Sequence, residues 1–449
     1  MEETRTSNGR RLWLVVAAAL LVRGALLVSA AGNSGGVLTP DSRSYLQLAG
    51  ALAERGEFAL HDQAEIFRTP GYPLFLAWAR PLPGGVWAPL ALQVLLDVLL
   101  VVVTFYLAGM LAGRRAGELA AAFQAVTPVA MAASCRVLSD SLYALLLTGA
   151  VALLVAHFRG GKWRPLLAGA FVMAAACYVR PIGVAMAAVA AAVILCRRRC
   201  VLRAGVFAGV VAACLAPWVV RNAAAADFRG FSSFAGDSLH RFAAAEIIAR
   251  REGADAATVR RRLDAEVILA DLPTPGARSR YRKQQAMEII GGDRVSYLAI
   301  HAAGAMAFWL PGATDVLEVS GATVGQRGTL EVLHSRGPIA AARHYFADSP
   351  WAVAPAVLLA GIFAVKMFGV AVCAVSRARL RMSASSWLML LIVATSSMAG
   401  GAATTPRFRV PVAPLLSVAA AVGWLRLPRR RRAAAHASSL PADAGGDAT

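Results

Sequence analysis

An all-α fold, a polytopic transmembrane helix bundle of about 10 spans with amphipathic helices on one face, follows from three observations. The chain of 449 residues is 58% hydrophobic and 16% charged. Its apolar runs repeatedly approach the length that crosses a hydrocarbon core, about 20 residues in a helix. Its basic residues gather beside alternate ends of those runs, the asymmetry that orients membrane proteins. The net charge of +20 would suggest nucleic acid in a soluble protein. Set beside apolar spans it points to membrane lipids instead, and nucleic acid is not among the expected partners.

In chain order the spans fall near 12–31, 86–112, 116–134, 141–158, 165–179, 182–196, 203–220, 351–375, 385–403 and 409–425. One set of ends carries Arg5, Arg10 and Arg11, then Arg114 and Arg115, then Arg159, Lys162 and Arg164. The set continues with Arg197, Arg198, Arg199 and Arg203, with Arg377, Arg379 and Arg381, and with Arg426 and Arg429 to Arg432. These are 20 of the 46 Lys and Arg residues. The short loops opposite, 135–140, 180–181 and 404–408, hold only Arg136, Arg180 and Arg407. Both termini are therefore expected in the cytoplasm.

The N-terminus has the basic, apolar and small-residue order of a secretory signal, but Arg23 interrupts it and nine more spans follow, so an uncleaved anchor is expected. The six cysteines, Cys135, Cys177, Cys196, Cys200, Cys214 and Cys373, lie in or beside apolar runs and read as packing residues. His61, His240, His301, His334 and His344 are scattered without ligand spacing. No phosphate-binding glycine loop or fixed-period repeat is present. No cofactor is expected, and no metal site is indicated.

The first outer loop, 32–85, opens on a Gly-rich lead (Gly32 to Gly36). Its residues 41–55 then repeat Tyr45, Leu46, Leu48, Ala49 and Leu52 at helical spacing, which predicts an amphipathic helix lying on the membrane. Residues 67–78 contain a Pro/Gly-rich bend beside Arg68 and are expected to re-enter the interface, with Tyr72, Phe75 and Trp78 as aromatic anchors. Residues 221–350 form one long outer segment. It has charged amphipathic patches at 237–262 and 264–290, and a short apolar stretch at 297–310 that reads as interfacial or re-entrant. The domain division is 1–220 for the N-terminal core with its outer loop, 221–350 for the outer segment, 351–427 for the C-terminal spans, and 428–449 for a basic, disordered tail.

Charged groups at the edge of a bundle are costly unless they have partners or a task. The outer face gathers two carboxylates, Asp41 and Asp140, and four cations, Arg68, Arg180, Arg221 and Arg407. A carboxylate accepts a proton from an attacking hydroxyl, and the guanidinium fork suits phosphate oxygens. Together they suit transfer of a sugar from a polyprenyl-phosphate carrier, with Asp41 and Asp140 catalytic and Arg68, Tyr45, Tyr72, Arg180, Arg221 and Arg407 binding substrate. Plainer roles exist for each. Asp41 after Thr-Pro, and Asp140 before the fourth span, both suit helix caps. Terminal arginines commonly snorkel to headgroups.

The stretch Pro-Asp-Ser-Arg-Ser-Tyr-Leu-Gln-Leu-Ala at 40–49, followed by Arg-Thr-Pro-Gly-Tyr-Pro-Leu-Phe-Leu at 68–76, resembles the first outer loop of GT-C glycosyltransferases. It is most similar to bacterial members of glycosyltransferase family 39, relatives of protein O-mannosyltransferases and aminoarabinose transferases. Leu138 to Tyr143, Arg180-Pro181, Pro217 to Asn222 and Arg407 to Pro411 recur in the family's order. The resemblance implies a GT-C-like fold and an inverting transfer with Asp41 in the active site. It also implies that Arg68 contacts the carrier phosphate and that Asp140 is the second outer-loop acid. Ser42 stands where many members carry a second acid, and the Arg68 bend where many carry Lys-Pro-Pro.

The expected activity is transfer of a hexose or pentose to a lipid, glycan or protein acceptor on the extracytoplasmic face of the cytoplasmic membrane. A non-catalytic transporter or flippase of lipid-linked sugars is the alternative, and the same cations would serve it.

Overall fold

The computed structural model describes residues 3–32, 36–197, 200–325, 329–377 and 382–438. Arg198, Arg199, Arg379 and Arg381 of the basic ends lie outside the described residues, as do 33–35 of the Gly-rich lead and 439–449 of the tail.

The chain opens on α1 (Glu3–Ala31). Helix α2 (Pro40–Arg55) starts where Pro40 can occupy the first turn without losing a hydrogen bond, and it stops at Gly56, whose φ of 69° ends the helix. A small antiparallel hairpin follows, β1 (Ala59–Leu60) and β2 (Gln63–Ala64), with Ala59 opposite Ala64. His61 and Asp62 turn it, both with positive φ, the hand that matches strand twist. Helix α3 (Gly71–Ala79) leads to the long apolar α4 (Trp87–Ala112).

The next span is broken. Helices α5 (Arg114–Ala125) and α6 (Pro128–Ser134) meet at 59°, because Pro128 disfavours helical geometry at Thr127 and cannot donate backward. Then come α7 (Asp140–Gly160), α8 (Trp163–Val179), α9 (Gly183–Cys196) and α10 (Val201–Ala226). The outer segment folds as α11 (Phe234–Ser238), a π-turn at Leu239–Ala244, α12 (Ala245–Glu252), α13 (Ala256–Leu269), α14 (Pro275–Gly292), α15 (Arg294–Ala307), α16 (Ala313–Val319) and α17 (Thr329–Tyr345). The chain closes with α18 (Val353–Arg377), α19 (Ala384–Ala399) and α20 (Ala413–Ser438).

Each expected span coincides with a helix. Six are long and apolar enough to cross a membrane, the bent α5–α6 pair makes a seventh, and α8, α9 and α19 are shorter. The protein is a multi-pass, all-α membrane protein. Helix α20 runs on to Ser438, past Pro428, where an irregular tail was expected; alanine and arginine are strong helix formers. Cys135, Cys177 and Cys373 are buried, whereas Cys196 is exposed and Cys200 and Cys214 are half-buried.

Helix α20 packs on α18, α5 and α4 and closes the bundle. The largest apolar core extends from Leu26 of α1 to Ala421 of α20 and takes in Tyr45 and Tyr72 from the outer loop. Polar groups interrupt it, two sets of them beside the break between α5 and α6. Arg23 and Asp97, both 0% exposed, pair at 2.5 Å between α1 and α4, and Arg23 also donates to the Ala125 carbonyl at the end of α5 (2.7 Å). On α18, Lys366 donates to Thr127 Oγ1 (2.8 Å) and the Ala413 carbonyl (3.1 Å). Arg23 satisfies carbonyls freed by the break between α5 and α6, and Lys366 ties the Thr127 side chain at that break to the start of α20.

Candidate active site

Asp41 occupies the first turn of α2 but does not cap it. Thr39 is the N-cap residue. Its backbone N–H donates to Ser42 Oγ (2.8 Å), and Ser42 in turn reaches across to the Val137 carbonyl (2.9 Å). Ser42 therefore does local work that a second acid could not, since a carboxylate cannot donate to a carbonyl. Asp140 begins α7, with Ser139 at the cap position. Both carboxylates are left free of the helix ends and point at guanidinium groups.

Arg68 donates to Asp41 Oδ1 (2.6 Å) and to the Tyr45 hydroxyl (3.2 Å), and its guanidinium lies 4.6 Å from the centre of the Tyr45 ring. Arg407 bridges the two acids, from its terminal nitrogens to Asp41 Oδ2 (3.1 and 3.2 Å) and from Nε to Asp140 Oδ2 (3.1 Å). Arg180 closes the row on Asp140 Oδ1. The order is Arg68–Asp41–Arg407–Asp140–Arg180, an alternating chain with one positive charge in excess.

Four separate segments supply these groups. Gly71 allows the Arg68 loop to approach, because a Cβ there would sit 2.7 Å from the Tyr178 carbonyl oxygen, so α3 can lie against the end of α8 just before Arg180. Arg407 comes from the short 3₁₀ turn Pro406–Val412 that precedes α20.

Exposure separates the two acids. The Asp140 side chain is 0% exposed and Asp41's is 36% exposed, so only Asp41 can meet an incoming molecule. Burial alone would raise the Asp41 pKa, but the charges of Arg68 and Arg407 outweigh it and hold the carboxyl at about 2. The resting carboxylate is ionised and weakly basic.

Two other expected residues stand apart from the row. Tyr72 is buried behind Tyr45, its ring edge-on at 4.9 Å, with its hydroxyl donating to Gln93 Oε1 (2.8 Å). Arg221 binds the Glu65 carbonyl (2.7 Å) and the Phe58 carbonyl, so it grips the backbone of the outer loop that presents Arg68. Arg136 lies outside the row as well and fastens the outer segment to its rim, pairing with Asp315 (2.8 Å) and Glu318 (2.7 Å).

Tyr45 joins the row to the outer turn through Ser139 Oγ (3.1 Å). Tyr143 and Phe408, which sequence reasoning passed over, line a cavity of about 100 Å³ with Tyr45, Arg68 and Arg180. Leu138 to Tyr143 and Arg407 to Pro411 contain both residues, so the motif positions carried the signal. A second cavity, of about 560 Å³, opens on the other side of Asp41 and Arg68. Among the described residues no three His, Cys, Asp or Glu side chains gather as metal ligands.

No protein-family model matches the chain, and no curated protein matches it. Solved structures do share its fold. The oligosaccharyltransferase AglB from Archaeoglobus fulgidus, in complex with an inhibitory peptide and a dolichol-phosphate, aligns with a TM-score of 0.52 and 13% identity, over 97% of this chain and 52% of its own. An Archaeoglobus fulgidus oligosaccharyltransferase in the apo form aligns at 0.50 and 15% identity, over 95% of this chain and 52% of its own. ArnT from Cupriavidus metallidurans bound to undecaprenyl phosphate aligns at 0.43 and 17% identity, over 96% and 81%. The chain spans about half the length of the archaeal chains it matches. At these identities the likeness is one of fold, and the chain has the GT-C-like fold.

Proposed function

We propose that the protein is a membrane glycosyltransferase that transfers a sugar from a polyprenyl-phosphate donor to an acceptor hydroxyl, with inversion, on the extracytoplasmic face of the cytoplasmic membrane. The observation that carries this reading is the row Arg68–Asp41–Arg407–Asp140–Arg180, because it combines one accessible carboxylate with a surplus cation. The fold is that of the lipid-linked glycosyltransferase AglB, whose solved complex includes dolichol-phosphate.

The donor phosphate takes the guanidinium groups of Arg68 and Arg407, which complement its oxygens and its growing charge. In doing so it draws them away from Asp41, whose basicity then rises toward that of an ordinary carboxylate. The acceptor oxygen attacks the anomeric carbon from the face opposite the phosphate. As the new C–O bond forms, the bond to the phosphate oxygen breaks and its electron pair leaves on the phosphate, while the acceptor proton passes to Asp41. Asp140, buried and held by two arginines, fixes Arg407 and Arg180 in place and takes no proton. Tyr45 supports Arg68 by stacking and by accepting its hydrogen bond.

The test is a transfer assay on the purified protein in lipid, with a panel of radiolabelled polyprenyl-phosphate sugars and identification of the labelled product. Turnover with at least one donor, and a product of inverted anomeric configuration, is expected. Donor movement across the bilayer without a new glycosidic bond would replace the enzyme with a transporter.

A further inference from the structure

The second cavity, of about 560 Å³, has Asp41 in its wall together with Arg241, Arg278 and Arg282. These three cations come from the outer segment, while Asp41 and Arg68 come from the first loop, so the cavity opens directly onto the proposed base. Helix α14 is built to hold two of them. Thr274 caps its first turn through the Ala277 N–H (3.1 Å). Gly276 lets that turn sit against α10, since a Cβ there would lie 2.1 Å from the Asp227 carbonyl oxygen. Arg278 and Arg282, four residues apart, then share one face of the helix. Arg241 arrives from the π-turn, a distortion that often marks functional positions.

Of the acids around this cavity, Asp41 and Glu65 are engaged, and Asp237 is engaged through one oxygen while its Oδ1 is buried without a partner among the described residues. Asp41 is held by Arg68 and Arg407. Glu65 accepts the backbone N–H groups of Phe67 and Arg68. Asp237 accepts from Ser233 (2.7 Å) and lies 3.8 Å from Arg282. Arg241 is paired with Asp264 at 3.2 Å. Arg278 donates only to the Gln63 side chain and the Leu272 carbonyl, with no carboxylate in ion-pair reach among the described residues. Arg282 Nε is buried without a hydrogen-bond partner. An unfilled guanidinium donor facing two more cations is costly unless an anion completes it. Burial holds Arg282 below the ordinary arginine pKa, with Asp237 opposing that shift and the charges of Arg241 and Arg278 adding to it.

We infer that this cavity is the acceptor subsite and that the acceptor carries a fixed anionic group, phosphoryl or carboxylate, near the hydroxyl that is glycosylated. The anion seats on Arg278 and Arg282, and the hydroxyl is thereby delivered to Asp41. This rests on the glycosyltransferase reading and adds the charge class of the acceptor to it.

The test uses the full chain in phosphatidylcholine nanodiscs and calorimetric titration with glucose 1-phosphate, glucuronate and neutral methyl glucoside, each repeated with undecaprenyl phosphate present. At least one of the two anions is expected to bind in a salt-dependent manner, to remain bound with undecaprenyl phosphate present, and to lose at least about tenfold in affinity in Arg278→Gln/Arg282→Gln. Preference between glucose 1-phosphate and glucuronate identifies the anionic group. Binding of methyl glucoside as tight as that of the anions overturns the inference. So does displacement of the anions by undecaprenyl phosphate, which would place them at the carrier site. Should undecaprenyl phosphate bind while none of the three small ligands does, the acceptor inference fails and the donor reading stands. Should undecaprenyl phosphate itself fail to bind, the donor reading fails first.

Discussion

Two sets of buried ion pairs in this molecule have opposite designs. At membrane depth, Arg23 and Asp97 form one neutral pair with 0% exposure on each side, and the spare donors of Arg23 run to backbone carbonyls at the break after α5. At the outer end of the bundle, three arginines and two aspartates alternate, one charge is left over, and Asp41 remains 36% exposed. The neutral pair balances its own charge, although Asp97 Oδ1 stays buried without a hydrogen-bond partner among the described residues, and it presents no exposed group to a ligand. An open row with a surplus cation is incomplete until an anion arrives. Charge excess and exposure, rather than the mere burial of charge, separate the candidate site from the strut.

The largest expected effect tests the open row. Asp41→Asn keeps the side-chain shape but cannot take a proton, so transfer should fall by about a hundredfold to ten-thousandfold, with donor binding and thermal unfolding close to the parent. Normal transfer by this variant would return Asp41 to a structural role. The matching change in the strut, Asp97→Leu, leaves Arg23 buried and unpaired, which costs about 3–5 kcal/mol of stability. It should appear as a lower unfolding temperature, with an unchanged rate per folded molecule. A smaller effect is expected at Arg68. Arg68→Ala should weaken donor affinity by about ten- to a hundredfold, and Arg68→Lys should restore part of it, because a lysine keeps the charge but not the fork. Equal donor affinities in parent, Ala and Lys variants would remove the phosphate role.

The acid side of the pH profile sharpens the same contrast. Asp41 is held at about 2 against an ordinary 3.8, so its contribution to stability is present above pH 3.8 and is lost as the pH falls toward 2. In kcat/KM, which reports the free enzyme, Asp41 should impose no acid limb between pH 7 and about 4. In kcat, which reports the donor-bound enzyme, the limb should move to higher pH once phosphate has taken the arginines. Identical acid limbs in the two profiles would show that Asp41 keeps both guanidinium partners through turnover.

How much of this was legible in the chain depends on which forces are local. The spans could be read because hydrocarbon demands long apolar runs, and all ten expected positions hold helices. Asp41, Asp140, Arg68, Arg180 and Arg407 could be read because charges at the ends of apolar helices are rare and need partners. Their pairing could not. Arg407 bridges two acids that lie 366 and 267 positions away in the chain, and only the docking of the 3₁₀ turn against α7 brings them together. Arg221 looks like another site cation until its partners are seen, because backbone carbonyls carry no signature in sequence. Ser42 looked like a missing acid, and its bond to the Val137 carbonyl explains why a hydroxyl is required there. Arg23 was visible as an interruption, and Asp97 as a lone acid in an apolar run, a combination that could have been matched by charge alone.

The smallest effect is expected when the whole strut is replaced. In Arg23→Met/Asp97→Leu both charges go, the methionine keeps the length of the arginine stem, and the desolvation cost disappears along with the attraction. Most of the 3–5 kcal/mol lost by Asp97→Leu alone should therefore return. The Ala125 carbonyl still loses its donor, leaving a residual cost of about 1–3 kcal/mol. The rate per folded molecule should equal the parent's. The formally similar replacement in the open row, Arg407→Met/Asp140→Leu, removes a neutral pair too, yet it should abolish transfer, because Arg407 is the link to Asp41. Unfolding curves and transfer rates for the two double variants measure both halves. If the strut variant lost transfer while remaining folded, or the Arg407 variant retained it, charge excess and exposure would no longer tell site from scaffold.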